Sequence, residues 1–144
     1  MPAATYNPRN FSGLLIRTEE THKAHCQIYA NGKITINCGR SLDEAGRKCE
    51  LFCERIKICG YPVIMKDYKI VNIIATLDMG RRLDLRNLSS LPNAFYEPEI
   101  FPGMTMFLTG CTAVLFSSGK INFLGVHSVA DLYTAELEIK NFIC

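Results

Sequence analysis

The sequence has no apolar run near the roughly 18 residues that a membrane-spanning helix needs, so we expect no membrane span. Its start, MPAATYNPRN, lacks a cationic stretch followed by an apolar one, so we expect no secretory signal. An excess of one charge is also missing, because 16 Lys and Arg face 14 Asp and Glu, for a net charge of +2. Such a mildly basic chain is compatible with an anionic partner without identifying one.

The motifs of the common enzyme classes are absent as well. There is no G-x-G-x-x-G, no G-x-x-x-x-G-K-[ST] and no G-x-S-x-G, and no paired carboxylates stand in a recognisable catalytic frame. We therefore expect that the chain is not an enzyme and uses no cofactor.

The seven cysteines, with no export signal, indicate intracellular thiols rather than a disulfide framework. Two groups could suggest zinc: His22, His25 and Cys26, and the trio Cys49, Cys53 and Cys59. No second CxxC or His pair completes a zinc-finger spacing. Two cysteines of the trio fall in an apolar helical stripe, where free cysteine packs as a small apolar residue. We expect no metal site.

What the sequence does contain is a repeated pattern in a globular composition, with 48% apolar and 21% charged residues. The pattern Y-x-P-x-x-F-x-G occurs at residues 6–13 and again at 96–103, 90 positions later. Further along, aromatic-x-x-G-K-I occurs at 29–34 and at 116–121, now 87 positions apart. A hairpin loop of different length between the two motifs would absorb the difference.

Two long helices are predicted, one after each G-K-I. SLDE at residues 41–44 is a capping box, and Gly60 with Tyr61-Pro62 ends the helix that it begins. The inward face of this helix is predicted to carry Leu42, Ala45, Cys49, Phe52, Cys53 and Ile56. The second helix is predicted from about Val129 to Phe142, after the N-cap sequence SVAD.

Shorter elements are predicted between and before these helices. YKIVNIIATL, residues 68–77, reads as a buried strand, and RRLDLRNL, residues 81–88, as a short helix. Asn31-Gly32 and Ser118-Gly119 read as tight turns between strands. We predict a single domain of two repeats, residues 1–61 and 62–144, and the first repeat lacks the strand and short helix that open the second.

This duplicated unit resembles the TATA-binding protein family. The segments YNPRNF, GYPVIMKDYKIVN, YEPEIFPGM and LFSSGKI are similar to the family's own segments and span nearly the whole chain. The resemblance implies an α+β fold, a saddle whose curved antiparallel sheet turns its concave face to DNA and carries helices on its convex face. It also implies two pseudo-repeats, of which the first is incomplete here.

Proteins of this family are known cases of minor-groove binding in which aromatic wedges enter base steps and kink the duplex. The matching wedges are Phe11 and Tyr29 in the first repeat and Phe101 and Phe116 in the second. Asn72 matches an asparagine that reads minor-groove acceptors. The other DNA-facing positions are Gln27, Thr35, Asn37, Ile74, Val114, Asn122 and Leu124 on the concave face, and Lys33, Arg40 and Lys120 at phosphates.

Several of these positions depart from the family pattern. Gln27, Thr35 and Asn122 stand where the family has apolar residues, and Asn37 and Leu124 stand where it has threonines. A more polar face loses apolar contact with the groove floor, so we expect a weaker preference for TATA-like sites.

The resemblance also implies partners and a location. Glu97, Glu99 and Ile100 match the segment that receives transcription factor IIB, and Arg47 and Lys48 match a basic helix surface used by factor IIA. Double-stranded, A·T-rich DNA is the expected ligand, no membrane is involved, and the expected location is the nucleus.

Alternatives remain open. A protein-interaction relative that competes for partners but binds DNA weakly would also fit the polar concave face, the altered basic loops and the missing strand. A shortened form without an independent role is a third alternative. The strand missing from the first repeat predicts either that the two halves close the gap or that a homodimer forms through the exposed mid-sheet edge.

Overall fold

The computed structural model of the chain describes residues 4–18 and 24–144. It divides into two compact units, Met1–Tyr68 and Lys69–Cys144, each with its own sheet and long helix. The predicted repeat boundary at residues 61/62 falls seven residues before the division at 68/69. Antiparallel sheets and three helices confirm the predicted α+β class.

The first unit is an antiparallel sheet with one helix. Its elements are β1 (Ala4–Thr5), β2 (Leu14–Arg17), β3 (His25–Ile28), β4 (Ile34–Asn37) and α1 (Leu42–Ile58). The strands follow one another in the order β1-β2-β3-β4, so each connection is a local hairpin.

The second unit repeats that arrangement with an added strand and a short helix. Its elements are β5 (Ile73–Asp78), α2 (Leu85–Leu88), β6 (Ala94–Phe95), β7 (Met104–Leu108), β8 (Cys111–Leu115), β9 (Lys120–Val126) and α3 (Val129–Ile143). The strand order is β5-β9-β8-β7-β6, so β5 pairs with the last strand of its unit.

Both predicted helix starts are confirmed. The Ser41 hydroxyl accepts the Glu44 N–H at 3.2 Å, and the Ser128 hydroxyl accepts the Asp131 N–H at 3.1 Å. These bonds satisfy N–H groups that have no partner inside the helix. At the other end of α1, Gly60 adopts a φ of +91°, which favours glycine and ends the helix there, as predicted.

Each sheet packs one face on its helix. In the first unit Phe52 of α1 packs with Ala24 and Cys26, and all three are buried. In the second unit Ala135 and Ile139 of α3 lie in a larger buried cluster. That cluster also contains Leu83, Leu85, Met104, Met106, Ala113, Leu115, Ile121, Phe123 and Val126. Leu42, predicted to face inward, lies in the first turn of α1 and is 45% exposed.

One prediction about a strand needs correction. The strand predicted from residue 68 begins only at Ile73, because its partner β9 ends at Val126. Before that point the Val71 carbonyl lies 2.9 Å from His127 Nδ1 instead of pairing in a sheet. The hydrogen-bonded ladders within the two units are the four-stranded and five-stranded antiparallel sheets described above. No described helix is long and apolar enough to cross a membrane.

Candidate nucleic-acid interface

Each copy of Y-x-P-x-x-F-x-G folds into the same turn. The Phe11 N–H donates to the Asn7 carbonyl at 3.0 Å, and the Phe101 N–H donates to the Glu97 carbonyl at 3.0 Å. In both copies the residue before the phenylalanine donates to the same carbonyl. The turn therefore places one phenylalanine just before β2 and one just before β7.

Each of these phenylalanines meets an aromatic ring from the neighbouring hairpin. The Phe11 and Tyr29 ring centroids are 5.8 Å apart with an interplanar angle of 66°, and those of Phe101 and Phe116 are 6.0 Å apart at 68°. Edge-to-face pairs of this kind are a favoured aromatic geometry. Phe11 and Phe101 keep 38% and 46% of their surface exposed. Each unit thus presents one aromatic pair with one ring exposed to solvent and one partly buried.

The glycine that closes the motif makes room for the ring. A Cβ at Gly13 would lie 2.7 Å from Phe11 Cε1, and one at Gly103 would lie 2.6 Å from Phe101 Cε1. Real Cβ atoms do not approach other atoms so closely, so a larger residue would displace the ring.

The hairpins β3–β4 and β8–β9 position the second ring of each pair and a lysine. The Tyr29 N–H donates to the Lys33 carbonyl at 3.0 Å, and the Phe116 N–H donates to the Lys120 carbonyl at 2.9 Å. The glycine before each lysine has a positive φ, +82° and +98°, which closes the tight turn. Lys33 and Lys120 are exposed, as is Arg40, which precedes the N-cap of α1.

Strand alternation places Gln27, Thr35 and Asn37 on the face of the first sheet that points away from α1. Gln27 lies opposite Thr35, and His25 lies opposite Asn37. Cys26, which lies between His25 and Gln27 in β3, points to the opposite face and is fully buried in the core.

The corresponding face of the second sheet contains a row across four strands. Thr105 pairs with Val114, Val114 with Asn122, and Asn122 with Thr76. Their neighbours along the strands, such as Ala113, are buried in the core. Val114 and Asn122 are partly buried, and Thr76 is exposed.

Leu124, Ile74 and Asn72 lie near the far end of that face. Leu124 is 37% exposed and Ile74 is 66% exposed. Asn72 is also exposed and comes one residue before β5, outside the sheet ladder. The ladder has an irregularity between Ile73 and Ala75, where Gly125 of β9 adopts a φ of +75°.

Sequence reasoning missed several residues on these faces. Arg17, the last residue of β2, and Phe107, inside β7, are both exposed. Thr76 and Thr105 belong to the row described above. The alternation of apolar and polar residues along each strand could have indicated them. Arg17 adds a cation beside His25, to which it pairs in the sheet.

The predicted partner segment lies in the second motif turn. Glu97, Glu99 and Ile100 are exposed, and Ile100 keeps 80% of its surface in solvent. Beside them is a shallow cavity of about 90 Å³, lined by Phe95, Glu97, Ile100, Phe101, Gly103 and Thr105. The cavity joins the turn to the exposed aromatic pair.

The predicted basic surface of α1 is only partly present. Arg47 is exposed, but Lys48 is 8% exposed and cannot form part of an open surface. Lys48 lies one helical turn before the buried Phe52, so it falls on the inward side of the helix. The assignment of Lys48 to an exposed surface is therefore corrected.

The cysteines of the first unit differ in burial: Cys26 is buried, Cys38, Cys49 and Cys53 are partly buried, and Cys59 is exposed. Burial raises the pKa of Cys26 to about 12, and it also raises the pKa of Cys38 and of Cys49. A raised pKa keeps the thiol protonated at neutral pH, whereas the thiolate is the form that binds metals. Among the described residues no group of three or more His, Cys, Asp or Glu could hold a metal ion, and His22 lies outside them.

Three comparisons identify what the chain is similar to. The family model described as Transcription factor TFIID (or TATA-binding protein, TBP) matches residues 1–59 and 67–143. TATA-box-binding protein-like 1 of Entamoeba histolytica is 36% identical over 143 residues, which cover 94% of this chain and 64% of that protein. The TATA-box-binding protein of Pyrococcus abyssi is 34% identical over 140 residues, covering 93% of this chain and 72% of that protein.

A solved structure, Methanococcus jannaschii TBP, matches with a TM-score of 0.85 and 30% identity. The match covers 96% of this chain and 81% of that one. The chain spans less than two thirds of the length of the Entamoeba relative.

Proposed function

This chain belongs to the TATA-binding protein family, as its repeats predicted, and from that membership we propose that it binds the minor groove of A·T-rich promoter DNA and recruits initiation proteins. The family consists of transcription factors, so the chain is not an enzyme. Relatives occur in eukaryotes and in archaea. A protein that binds promoter DNA is located where the genome is, which in a eukaryotic cell is the nucleus.

The observation that carries the proposal is the aromatic pair built twice with the same geometry. Phe11 with Tyr29, and Phe101 with Phe116, are held at nearly equal distances and angles. Phe11 and Phe101 are exposed, and their partner rings are partly buried. A ring pair that only filled a core would be buried. Exposed apolar rings that insert between base pairs are the means by which minor-groove proteins kink DNA.

Other residues have supporting roles in this proposal. Asn72 donates to base acceptors, and Ile74, Val114 and Leu124 lie against the groove floor. Lys33, Arg40 and Lys120 neutralise phosphates, and Arg17 joins them on the first unit. Gln27, Thr35, Asn37 and Asn122 give the face its polar character.

The proposed protein partners are general transcription factors. Exposed Glu97, Glu99 and Ile100 offer an acidic and apolar edge to a factor IIB-like protein. Arg47 offers one cation to a factor IIA-like protein, without Lys48.

A second copy of the chain is proposed as a further partner. In the described residues β4 and β5 each end the strand order of their own sheet, so each has only one neighbour in its ladder. Unpaired strand edges favour association with another chain. Light scattering after gel filtration should give twice the monomer mass, and a monomer at all concentrations would contradict this point.

The second candidate function is a partner-binding module that does not engage DNA. The polar residues Gln27, Thr35 and Asn37 on the first sheet face favour it, because they reduce apolar contact with a groove floor.

A salt titration separates the two functions. Affinity for a dye-labelled A·T-rich duplex should fall steeply with salt, because neutralised phosphates release counterions. Replacing Lys120→Gln should lower the slope of log affinity against log salt by about one unit. The matched control is Lys57→Gln on α1, where Lys57 pairs with Glu54 at 2.7 Å and should leave the slope unchanged. Binding that is absent in folded protein would favour the partner-binding module.

A further inference from the structure

Two amide side chains on the sheet faces are each held in one orientation by a hydroxyl. They are Gln27 of β3 and Asn122 of β9, and both are partly buried. In each case the hydroxyl donates a hydrogen bond to the amide oxygen. The amide NH2 group therefore has no hydrogen-bond partner among the described residues.

At Gln27 the hydroxyl belongs to Tyr29. The Tyr29 hydroxyl donates to Gln27 Oε1 at 3.3 Å. The two side chains share the sheet face because they are two residues apart on an extended segment. No described residue bonds Gln27 Nε2, so its two hydrogens are available to a ligand on that face.

At Asn122 the hydroxyl comes from the neighbouring strand. Thr76 lies directly opposite Asn122 in the ladder, and its hydroxyl donates to Asn122 Oδ1 at 3.0 Å. Within the described part of the chain Asn122 Nδ2 has no hydrogen-bond partner. Its orientation is therefore fixed in the same sense as that of Gln27.

The repeat supplies an internal comparison. The position that matches Gln27 in the second unit is Val114, and the position that matches Tyr29 is Phe116. Amide and hydroxyl thus occur together in one unit, and both are replaced by apolar groups in the other. A hydroxyl on a wedge needs a polar partner, and Gln27 supplies it.

We propose that Gln27 and Asn122 are specificity-determining residues that donate amide hydrogen bonds to minor-groove acceptors of A·T pairs. This inference rests on the proposed minor-groove binding. A·T and T·A pairs present only acceptors there, adenine N3 and thymine O2, whereas G·C adds the guanine N2 amino donor. An amide donor facing that amino group leaves both donors unpaired. The hydroxyls of Tyr29 and Thr76 have a positioning role in these contacts, because they act through the amides, and the Tyr29 ring keeps its role in the aromatic pair.

Atomic substitution in the DNA tests the inference. Each adenine of an A·T-rich duplex is replaced in turn by 3-deazaadenine, which lacks N3, and each thymine by 2-thiothymine, which weakens the O2 acceptor. Apart from the position read by Asn72, affinity should drop roughly two- to tenfold at two positions, the size of one net hydrogen bond each. In Gln27→Leu one of these drops should disappear, and in Asn122→Leu the other.

Thr76→Val provides a second variant that is less prone to misfold, because threonine and valine have nearly the same shape. In Thr76→Val the loss of affinity caused by the base substitution opposite Asn122 should be smaller. Its affinity for the duplex that carries that substitution should equal that of the wild type. The matched control is Thr112→Val, on the same sheet face, which should change neither drop.

The outcomes are distinct. Folded protein that binds the unmodified duplex but shows no sensitive position, or keeps both drops in the Leu variants, would overturn this inference alone. Absence of binding to every duplex would overturn the proposed function together with it.

Discussion

Gly13 and Gly103 have no side chain, and this leaves the space that an aromatic ring occupies beside each of them. At Gly103 three groups crowd the space where a Cβ would lie: Phe101 Cε1 at 2.6 Å, Val114 Cγ1 at 2.9 Å and Phe116 Cε1 at 3.1 Å. All three are ends of side chains, so they can shift, but the shift would displace the aromatic pair.

Gly103→Ala should therefore impair DNA bending more than stability. We expect the free energy of unfolding to change by no more than about 1 kcal/mol, because overpacking strain is offset by the lower entropy of the unfolded alanine chain. Urea unfolding and energy transfer across a dye-labelled duplex measure the two effects. The control is Gly39→Ala, where a Cβ meets nothing within 4 Å. Bending that is unchanged in Gly103→Ala would contradict the role of the ring pair.

The Cys26 thiol should make stability depend on alkaline pH. Burial raises its pKa from 9.0 to about 12. Below pH 9 the thiol is protonated in both states and adds no dependence. Between pH 9 and 12 the unfolded chain releases the proton while the folded chain keeps it, so the free energy of unfolding falls as pH rises.

This pH effect can be isolated by substitution. In Cys26→Ala the free energy of unfolding should fall less steeply between pH 9 and 12 than in the wild type. The difference in slope should be at most about 1.4 kcal/mol per pH unit. Cys59→Ala, at an exposed position, should keep the slope. Equal slopes in the wild type and Cys26→Ala would contradict the burial of an un-ionised thiol.

The long helices α1 and α3 begin with the same device. Ser41 and Ser128 both accept the N–H of the third residue that follows. In α1 the Glu44 carboxylate also accepts the Arg40 N–H at 3.2 Å, one residue earlier than the capping box predicts.

Ser41→Ala should lower the free energy of unfolding by about 1 kcal/mol, because one N–H of the first turn loses its acceptor. Ser41→Asp keeps an acceptor at the same place and should restore most of the loss. Chemical denaturation of the three proteins measures the difference. A loss in Ser41→Asp as large as in Ser41→Ala would argue against capping as the cause.

Local signals explain which elements the sequence could predict. The helices were found because caps, glycines and apolar spacing all lie within a few residues of one another. Lys48 was misplaced because its charge suggested solvent, although its spacing from Phe52 points inward. Tyr68–Asn72 resemble a strand in composition, but a strand also needs a partner, and β9 ends at Val126.

The two units share one framework and differ in their surfaces. The second sheet face exposes Ile74 at 66%, Phe107 at 61% and Leu124 at 37%, whereas the first carries Gln27, Thr35 and Asn37. The duplicated motifs could predict the framework because they repeat in order. The bond from Thr76 to Asn122 joins residues 46 positions apart, so only the strand register reveals it. We expect the apolar second unit to contribute most of the contact with the groove floor.

DNA bending by the aromatic pairs is the most direct test of minor-groove binding. An A·T-rich duplex with donor and acceptor dyes at its ends is titrated with wild type, with Phe101→Ala/Phe116→Ala, and with the control Tyr133→Ala. Tyr133 is 62% exposed but lies on α3. We expect energy transfer to rise with wild type and Tyr133→Ala, to weaken with salt, and to stay flat with the double variant. No rise with folded wild-type protein, or an equal rise with the double variant, would contradict minor-groove binding by these rings.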